Sequence, residues 1–373
     1  MEFNVCFLIQ QYNNSGGTER VLSQIANELV EKGHKVSIVS ISKGLSPHFA
    51  TDGRIKLFDL EDYNIPWPQG ILGKALRKFT FLKAVSKKVE GLEKILNEIN
   101  PDFVIAVDVV LYHYIERLRK KMNFKAIAWE HYCLDAREGR FVRYCQKLAT
   151  KKADKVIVLG DRDLEDYQTR YPRSSNIKRI YNPIAFEISN NIDVNNKVVI
   201  AAGRYSYQKG FDMLLESWEK IADRVPDWEL RIFGDGEEKE NFQSFILQNG
   251  LKNVKLCGYT DCLDKEMDKA SVFALSSRYE GFVLVLLEAQ ARGLPCVSFN
   301  CKQGPSEIID NNINGFLVSP NDVDAFSEKL YELMTDNDLR SSFSKNAQKD
   351  LYRFEMQTVI KEWEDLFNEL SME

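Results

Sequence analysis

Histidine is scarce in this 373-residue chain, which has four, and its seven cysteines are scattered. Cys6, Cys133, Cys145, Cys257, Cys262, Cys296 and Cys301 include no C-x-x-C pair, and no two histidines stand at a metal-ligand spacing. That argues against a structural zinc site and predicts reduced thiols packed as small apolar groups. No apolar run approaches the roughly 20 residues of a bilayer span; the best are "FVIAVDVVL" (103–111) and "FVLVLLEA" (282–289). The opening "MEFNVCFLIQQ" lacks a basic leader and reads as a first strand, so a cytoplasmic location is expected. A G-x-G-x-x-G dinucleotide fingerprint is also missing, which weakens an oxidoreductase reading. The D-x-D strings, Asp161/Asp163 and Asp322/Asp324, precede helical patterns and read as helix-start acids rather than metal ligands.

What is present is divided. Residues 1–180 carry 30 basic and 22 acidic side chains, leaving 20 and 33 for the remainder, so a net charge of −5 hides a basic first half and an acidic second half. The basic excess gathers in 73–96 and 137–152, with Phe, Leu and Val interleaved. Such segments suit either a solvated helix face or a peripheral contact with an anionic membrane at its cytoplasmic face. Nucleic acid is not expected as a partner of an acidic chain without a reading motif.

Strand-like runs alternate with amphipathic helical runs from end to end, the pattern of an α/β chain with parallel sheets. The pattern pauses at 182–196, rich in turn formers, and then restarts with "KVVIAAGR". Two similar doubly wound domains facing a cleft are expected, over 1–188 and 189–350. A last helix within 351–373 is expected to pack back on the first domain. Ligands of such sheets bind outside the carboxyl ends of the strands.

Three constellations carry chemistry. In "SSRYEGFVLVLLEAQARG" (276–293) a helix apolar almost all round holds Glu288, whose burial as an ion is unfavourable by several kcal/mol without partners. Arg292, one turn on, is one candidate partner; a ligand with vicinal hydroxyls is another. Glu280 precedes the helix, and the amides of Gly281, Phe282 and Val283 form its start, where an anion is favoured. In "AAGRYSYQKGFD" (201–212), Arg204 and Lys209 flank one strand-to-helix turn, and two cations there imply a bound phosphate or diphosphate. In "NNSGGTER" (13–20), Gly16 and Gly17 permit close backbone approach at a helix start, or form an ordinary turn. His131 follows a predicted strand in "AIAWEHYC" (126–133), at the sheet end where a site is expected.

Together these segments resemble the retaining glycosyltransferases of the GT-B fold, family 4. "GGTERVLSQIANELVEKGHKV", "GRYSYQKGFD", "FGDGEE" and "EGFVLVLLEAQARGLPCV" follow that family's order across nearly the whole chain. The resemblance implies a nucleotide-sugar donor whose diphosphate is held by Arg204 and Lys209, a donor sugar at Glu280 with Gly281, Phe282 and Val283, and a ribose at Glu288. It puts Gly16 and Gly17 over the diphosphate, His131 at the sugar's reacting face, and Gly258 and Tyr259 near the base. By it Arg204, Lys209, Glu280 and His131 are the catalytic set, and neither a metal nor another cofactor is required. "SFNCKQGPSEIIDNNINGFLV" (298–318) resembles the subset acting on cell-surface glycans and lipid-linked oligosaccharides. The donor expected is a UDP-hexose or UDP-N-acetylhexosamine, with GDP-mannose second. A UDP-N-acetylglucosamine 2-epimerase shares this architecture, and a silent nucleotide-sugar-binding subunit is the non-enzymatic alternative. The first predicts isomerised donor without acceptor, and the second predicts loss of the paired Arg, Lys and Glu positions, all of which are present.

Overall fold

The computed structural model describes residues 1–372 apart from 43, 45, 61–69, 138, 187 and 190–192 and the side chains of 70–81. Its central strands come from short β-branched and apolar runs, buried on both faces as central parallel strands must be, while the edge strands are partly exposed. In the first unit the strands are β1 (Asn4–Ile9), β2 (Lys35–Ser40), β3 (Lys56–Asp59), β4 (Phe103–Ala106), β5 (Lys125–Trp129), β6 (Lys155–Val158) and β7 (Ile177–Arg179). They form one parallel sheet in the order β3-β2-β1-β4-β5-β6-β7. The second unit has β8 (Val198–Ala202), β9 (Glu229–Phe233), β10 (Val254–Gly258), β11 (Val272–Leu275), β12 (Cys296–Phe299) and β13 (Gly315–Val318). Their order is β10-β9-β8-β11-β12-β13, again all parallel. Both sheets therefore start at an inner strand, wind outward, and reverse direction once. This is the Rossmann-like arrangement.

Helices follow the apolar stripes. Gly17–Glu31 buries Val21, Leu22, Ile25, Ala26 and Leu29, and Gly33 at φ 92° ends its run. In the second unit Phe211–Glu219 buries Phe211, Leu214, Leu215 and Trp218 in a core shared with Trp228, Phe242 and Phe326.

The chain divides into Met1–Pro183 with Met356–Glu373, and Ile184–Glu355. The break falls five residues ahead of the expected 188/189, and the returning segment begins at 356 rather than 351. The stretch with a linker's composition is bonded into the second unit: the Ile184 amide donates to Phe354 O at 2.8 Å and the Ser189 amide to Ala291 O at 2.9 Å. The final helix, Met356–Met372, lays Phe367 against Phe103 at 4.6 Å between ring centroids and Trp363 against Trp129 at 5.1 Å. Each such buried ring contributes roughly 1.5–3 kcal/mol.

No disulfide joins the cysteines of the described residues, but they are not all core groups. Cys257 and Cys262 are exposed and the other five buried. Cys257 is exposed because β10 is an edge strand, where alternate side chains meet solvent, and Cys262 because it lies in the loop after it, at the start of the helix Leu263–Met267. Of the basic segments, 73–81 lies outside the described side chains. The helix Arg140–Lys152 exposes Arg140, Phe141, Arg143, Tyr144 and Lys147 and buries Cys145, Gln146, Ala149 and Thr150. No helix among the described residues is long and apolar enough to cross a membrane.

Candidate functional site

The second sheet reverses between β8 and β11, and the segments leaving those two strands carry the predicted cations and acids. Such a reversal opens a crevice at the strands' carboxyl ends. After β8 the chain passes Gly203 and Arg204 into a 3₁₀ turn, Tyr207–Lys209, and then Gly210 at φ 61°. A Cβ on Gly210 would lie 2.2 Å from the carbonyl oxygen of Ser276, so only glycine lets this turn pass so close to the end of β11.

That closeness joins Lys209 to Glu280. Lys209 Nζ lies 2.7 Å from Glu280 Oε1, and the Ser277 hydroxyl donates to the same oxygen at 2.6 Å. The carboxylate is almost fully buried and the ammonium is four-fifths buried, so each supplies most of the other's compensation. Ser277 escaped the sequence reading because a serine three residues before a glutamate carries no signal until the loop folds back.

Arg204 does not join this pair. Its guanidinium is 74% exposed and engages Glu237, with Nη2 to Oε2 at 3.2 Å. The reason is topological: β9 is paired with β8, and the acid-rich "GDGEE" leaving β9 meets Arg204 first. The two cations thus flank the same turn but are held by different acids.

Glu288 sits in the helix Leu284–Ala291 and is buried, as is Gln290, whose Nε2 donates to Asn314 O at 3.2 Å. Arg292 is engaged by Asp268, with Nε to Oδ1 at 2.6 Å. Val283 caps the helix, one residue later than the sequence suggested, so Gly281 and Phe282 form its approach rather than its first turn. A second loop presses on that approach: at Gly304, φ 95°, a Cβ would come 2.5 Å from Val283 Cγ2 and 2.8 Å from Gly281 O. Gly258 closes β10 at the sheet's edge, φ 76°, and its carbonyl accepts from the Gly234 amide at 2.8 Å; Tyr259 beside it is exposed.

In the first unit the corresponding reversal lies between β1 and β4. Gly16 and Gly17 follow β1, exposed, at the start of the helix Gly17–Glu31. His131 follows β5. Burial pushes its imidazole down to about 3, so it is neutral at physiological pH, and its Nε2 has no hydrogen-bond partner among the described residues. Its ring lies 4.3 Å from that of Trp129.

Around it stands a network that the sequence reading did not find. Arg137 holds Asp108 with Nη1 to Oδ2 at 2.5 Å and Nη2 to Oδ1 at 2.8 Å, and reaches Glu130 Oε1 at 3.2 Å. Glu130 also accepts from the Tyr132 amide at 3.0 Å and from Tyr167 Oη at 3.4 Å. Burial, with Asp108 adding repulsion, pushes Glu130 up to about 8 despite Arg137. Asp108 comes two residues after β4 and Glu130 directly after β5, so position at strand ends was the available signal.

The D-x-D acids start helices: Asp161 and Asp163 lie in the first turn of Asp161–Arg170, and Asp322 caps Val323–Thr335 by accepting from the Ala325 amide at 3.0 Å. Among the described residues no group of three or more His, Cys, Asp or Glu side chains could hold a metal ion.

Residues 15–187 match the family model "Glycosyltransferase Family 4", and residues 185–350 match "Glycosyl transferases group 1". An uncharacterized glycosyltransferase of Haemophilus influenzae is 31% identical over 363 residues, covering 96% of this chain and 98% of that protein. The amylovoran biosynthesis glycosyltransferase AmsD of Erwinia amylovora is 26% identical, covering 98% and 100% respectively. Among solved structures, a TarM mutant of S. aureus in complex with fondaparinux, alpha-GlcNAc-glycerol and UDP superposes with a TM-score of 0.81 at 16% identity, over 98% of this chain and 100% of that one.

Proposed function

This chain belongs to the family 4-type glycosyltransferases of the GT-B fold, and we propose that within that family it is a retaining enzyme using a UDP-hexose or UDP-N-acetylhexosamine donor. The acceptor in this reading is a cell-surface glycan or lipid-linked oligosaccharide, supported by AmsD's part in amylovoran biosynthesis. UDP is the proposed nucleotide because TarM was solved with it.

The observation that carries the reading is the Lys209–Glu280 pair at 2.7 Å, at the reversal of the second sheet and one loop away from buried Glu288. In it the diphosphate takes Lys209 and Arg204, the sugar takes Glu280 and the backbone of Gly281, Phe282 and Val283, and Glu288 takes the ribose. Gly258 and Tyr259 flank the base. Gly16, Gly17 and His131 enter this proposal through the family resemblance. Departure of the nucleotide places negative charge on the diphosphate, and fixed cations stabilise that charge most where water is excluded. Lys209, largely buried, supplies more of this than exposed Arg204. The neutral His131 then serves as a hydrogen-bonding group toward a sugar hydroxyl, not as a proton donor of the imidazolium type. Two cations take the part that a divalent metal plays elsewhere, so no metal is required. The exposed basic and aromatic face of Arg140–Lys152 supports peripheral contact with anionic lipid.

The test is a thermal-shift panel of UDP, GDP and ADP, with and without EDTA. UDP at 100-fold excess over Kd should add about 2.7 kcal/mol of stability, and EDTA should leave the shift unchanged. A chain stabilised only by GDP redirects the donor assignment to a GDP-sugar, and one stabilised by none of the three overturns the donor site. Donor incubated alone should undergo slow hydrolysis, whereas isomerised donor overturns the transferase in favour of an epimerase.

A further inference from the structure

We propose that Arg278 is a positioning residue for the donor site, a clasp that fixes Lys209 and Glu280 relative to one another. The inference deepens the donor reading above and rests on it.

Arg278 lies on the loop between β11 and the helix Leu284–Ala291, and its side chain is only 17% exposed. Its guanidinium grips Asp212 with both terminal nitrogens, Nη1 to Oδ1 at 2.8 Å and Nη2 to Oδ2 at 2.6 Å. Nη1 also donates to the carbonyl of Tyr207 at 2.8 Å, and the guanidinium plane lies over the Tyr207 ring, 4.0 Å from its centroid. The Arg278 amide donates to Gln208 O at 2.9 Å, and Gln208 Nε2 returns a bond to Tyr279 O at 3.1 Å. Ser276 Oγ donates to the Lys209 carbonyl at 2.9 Å.

All three residues of the turn that presents Lys209 are therefore tied to the loop that presents Glu280: Arg278 holds Tyr207 and Gln208, Ser276 holds Lys209, and through Asp212 Arg278 also grips the helix that follows the turn. The bonds of its guanidinium go to Asp212 and Tyr207, not to Lys209, Glu280 or Glu288, so its influence on them is indirect. One planar group serves a carboxylate, a carbonyl and an aromatic face at once, which a lysine cannot do. Gly210 explains why such a clasp matters. Backbone passes against backbone there with no side chain between to set the spacing, so the polar ties set it instead. A displacement of about 1 Å at a catalytic group can reduce the rate about a hundred-fold.

The test is a double-mutant cycle of Arg278→Lys with Lys209→Ala, read as Kd for UDP and for inorganic pyrophosphate by calorimetry. Arg278→Lys keeps the charge but loses the fork. It should weaken both ligands about ten-fold in the wild-type background and leave Lys209→Ala unchanged, since residues acting through one group are non-additive. Asp212→Asn, which loosens the clasp from the other side, should act in the same direction and carries the cycle if Arg278→Lys does not fold. Equal losses in both backgrounds, or wild-type affinity in the single variant, overturn the clasp and leave Arg278 a stabilising residue only. Hydrogen exchange decides the matter apart from the donor. In the variant, amides of 207–210 and 279–283 should exchange faster together while those of β8 and β11 keep their protection; unchanged exchange overturns the clasp. If the wild-type protein binds neither UDP nor pyrophosphate, the donor reading fails, and the exchange result still settles whether Arg278 holds the two segments together.

Discussion

The strand ends of the two units each hold a cation against a carboxylate but differ in the titratable groups set beside that pair. In the second unit an ammonium and a carboxylate face each other, Lys209 against Glu280, on segments leaving the two strands where the sheet reverses. In the first unit burial works against charge at two groups, driving His131 down to about 3 and pushing Glu130 up to about 8, beside the ion pair of Arg137 and Asp108. One end keeps formal charges at a crevice, which suits an anionic group such as a diphosphate. The other sets a neutral imidazole and a carboxyl of raised pKa beside an internally compensated Arg137–Asp108 pair. A shared topology thus says little about chemistry, which is decided by how deeply each side chain sinks and what it meets there.

The largest expected effect separates the two ends. Lys209→Ala should lower kcat/KM for the donor by about a hundred- to a thousand-fold, measured as release of UDP from UDP-sugar. A similar loss from a charge-neutral change such as His131→Asn would blur the contrast. Next, Glu288→Gln should weaken UDP about ten-fold, the scale of one hydrogen bond to a charged group, while pyrophosphate binding measured by calorimetry barely changes. Equal weakening of both would move Glu288 from the ribose to the phosphates.

The buried pair of the first unit is tested through pH. His131, with its folded value far below the ordinary 6.5, favours folding above about pH 6.5, and that stability is lost as pH falls from there toward about 3. Glu130, raised from 4.5 to about 8, acts in the other direction: its contribution is complete below about pH 4.5 and is lost as pH rises through about 8. Urea denaturation across pH should therefore show a flattened acid limb in His131→Asn and a flattened alkaline limb in Glu130→Gln. The reverse pattern would mean that the charged forms are the ones the fold holds. The smallest effect belongs to Arg204→Ala. An exposed ion pair with Glu237 is weak, so stability should stay within about 0.5 kcal/mol, whereas UDP affinity should fall more at low salt than at high salt.

Much of this fold is legible in the chain. Central strands such as "VVIAA" and "FVIA" announce themselves because burial on both faces removes polar alternation. The edge strands β3 and β7 did not, because "KLFD" and "IKR" are half exposed and look like loops. At the site, Lys209, Glu280 and Glu288 were readable as charges placed oddly, before a helix start or inside an apolar helix. Their partners were not. Asp108 and Arg137 are 29 residues apart and Lys209 and Glu280 are 71 apart, and such pairings follow from sheet order rather than local spacing. Arg204 shows the same limit from the other side, since its partner Glu237 comes from the neighbouring strand's loop.

The helix Met356–Met372 is synthesised after the second unit, yet its Trp363 and Phe367 cover Trp129, Phe103 and Phe3, which are made far earlier. Vectorial synthesis therefore leaves the aromatic seam of the first unit uncovered while the inserted unit, Ile184–Glu355, is made. Nascent chains halted before about residue 363 would carry that seam uncovered, which makes this helix the closing stitch of the first unit.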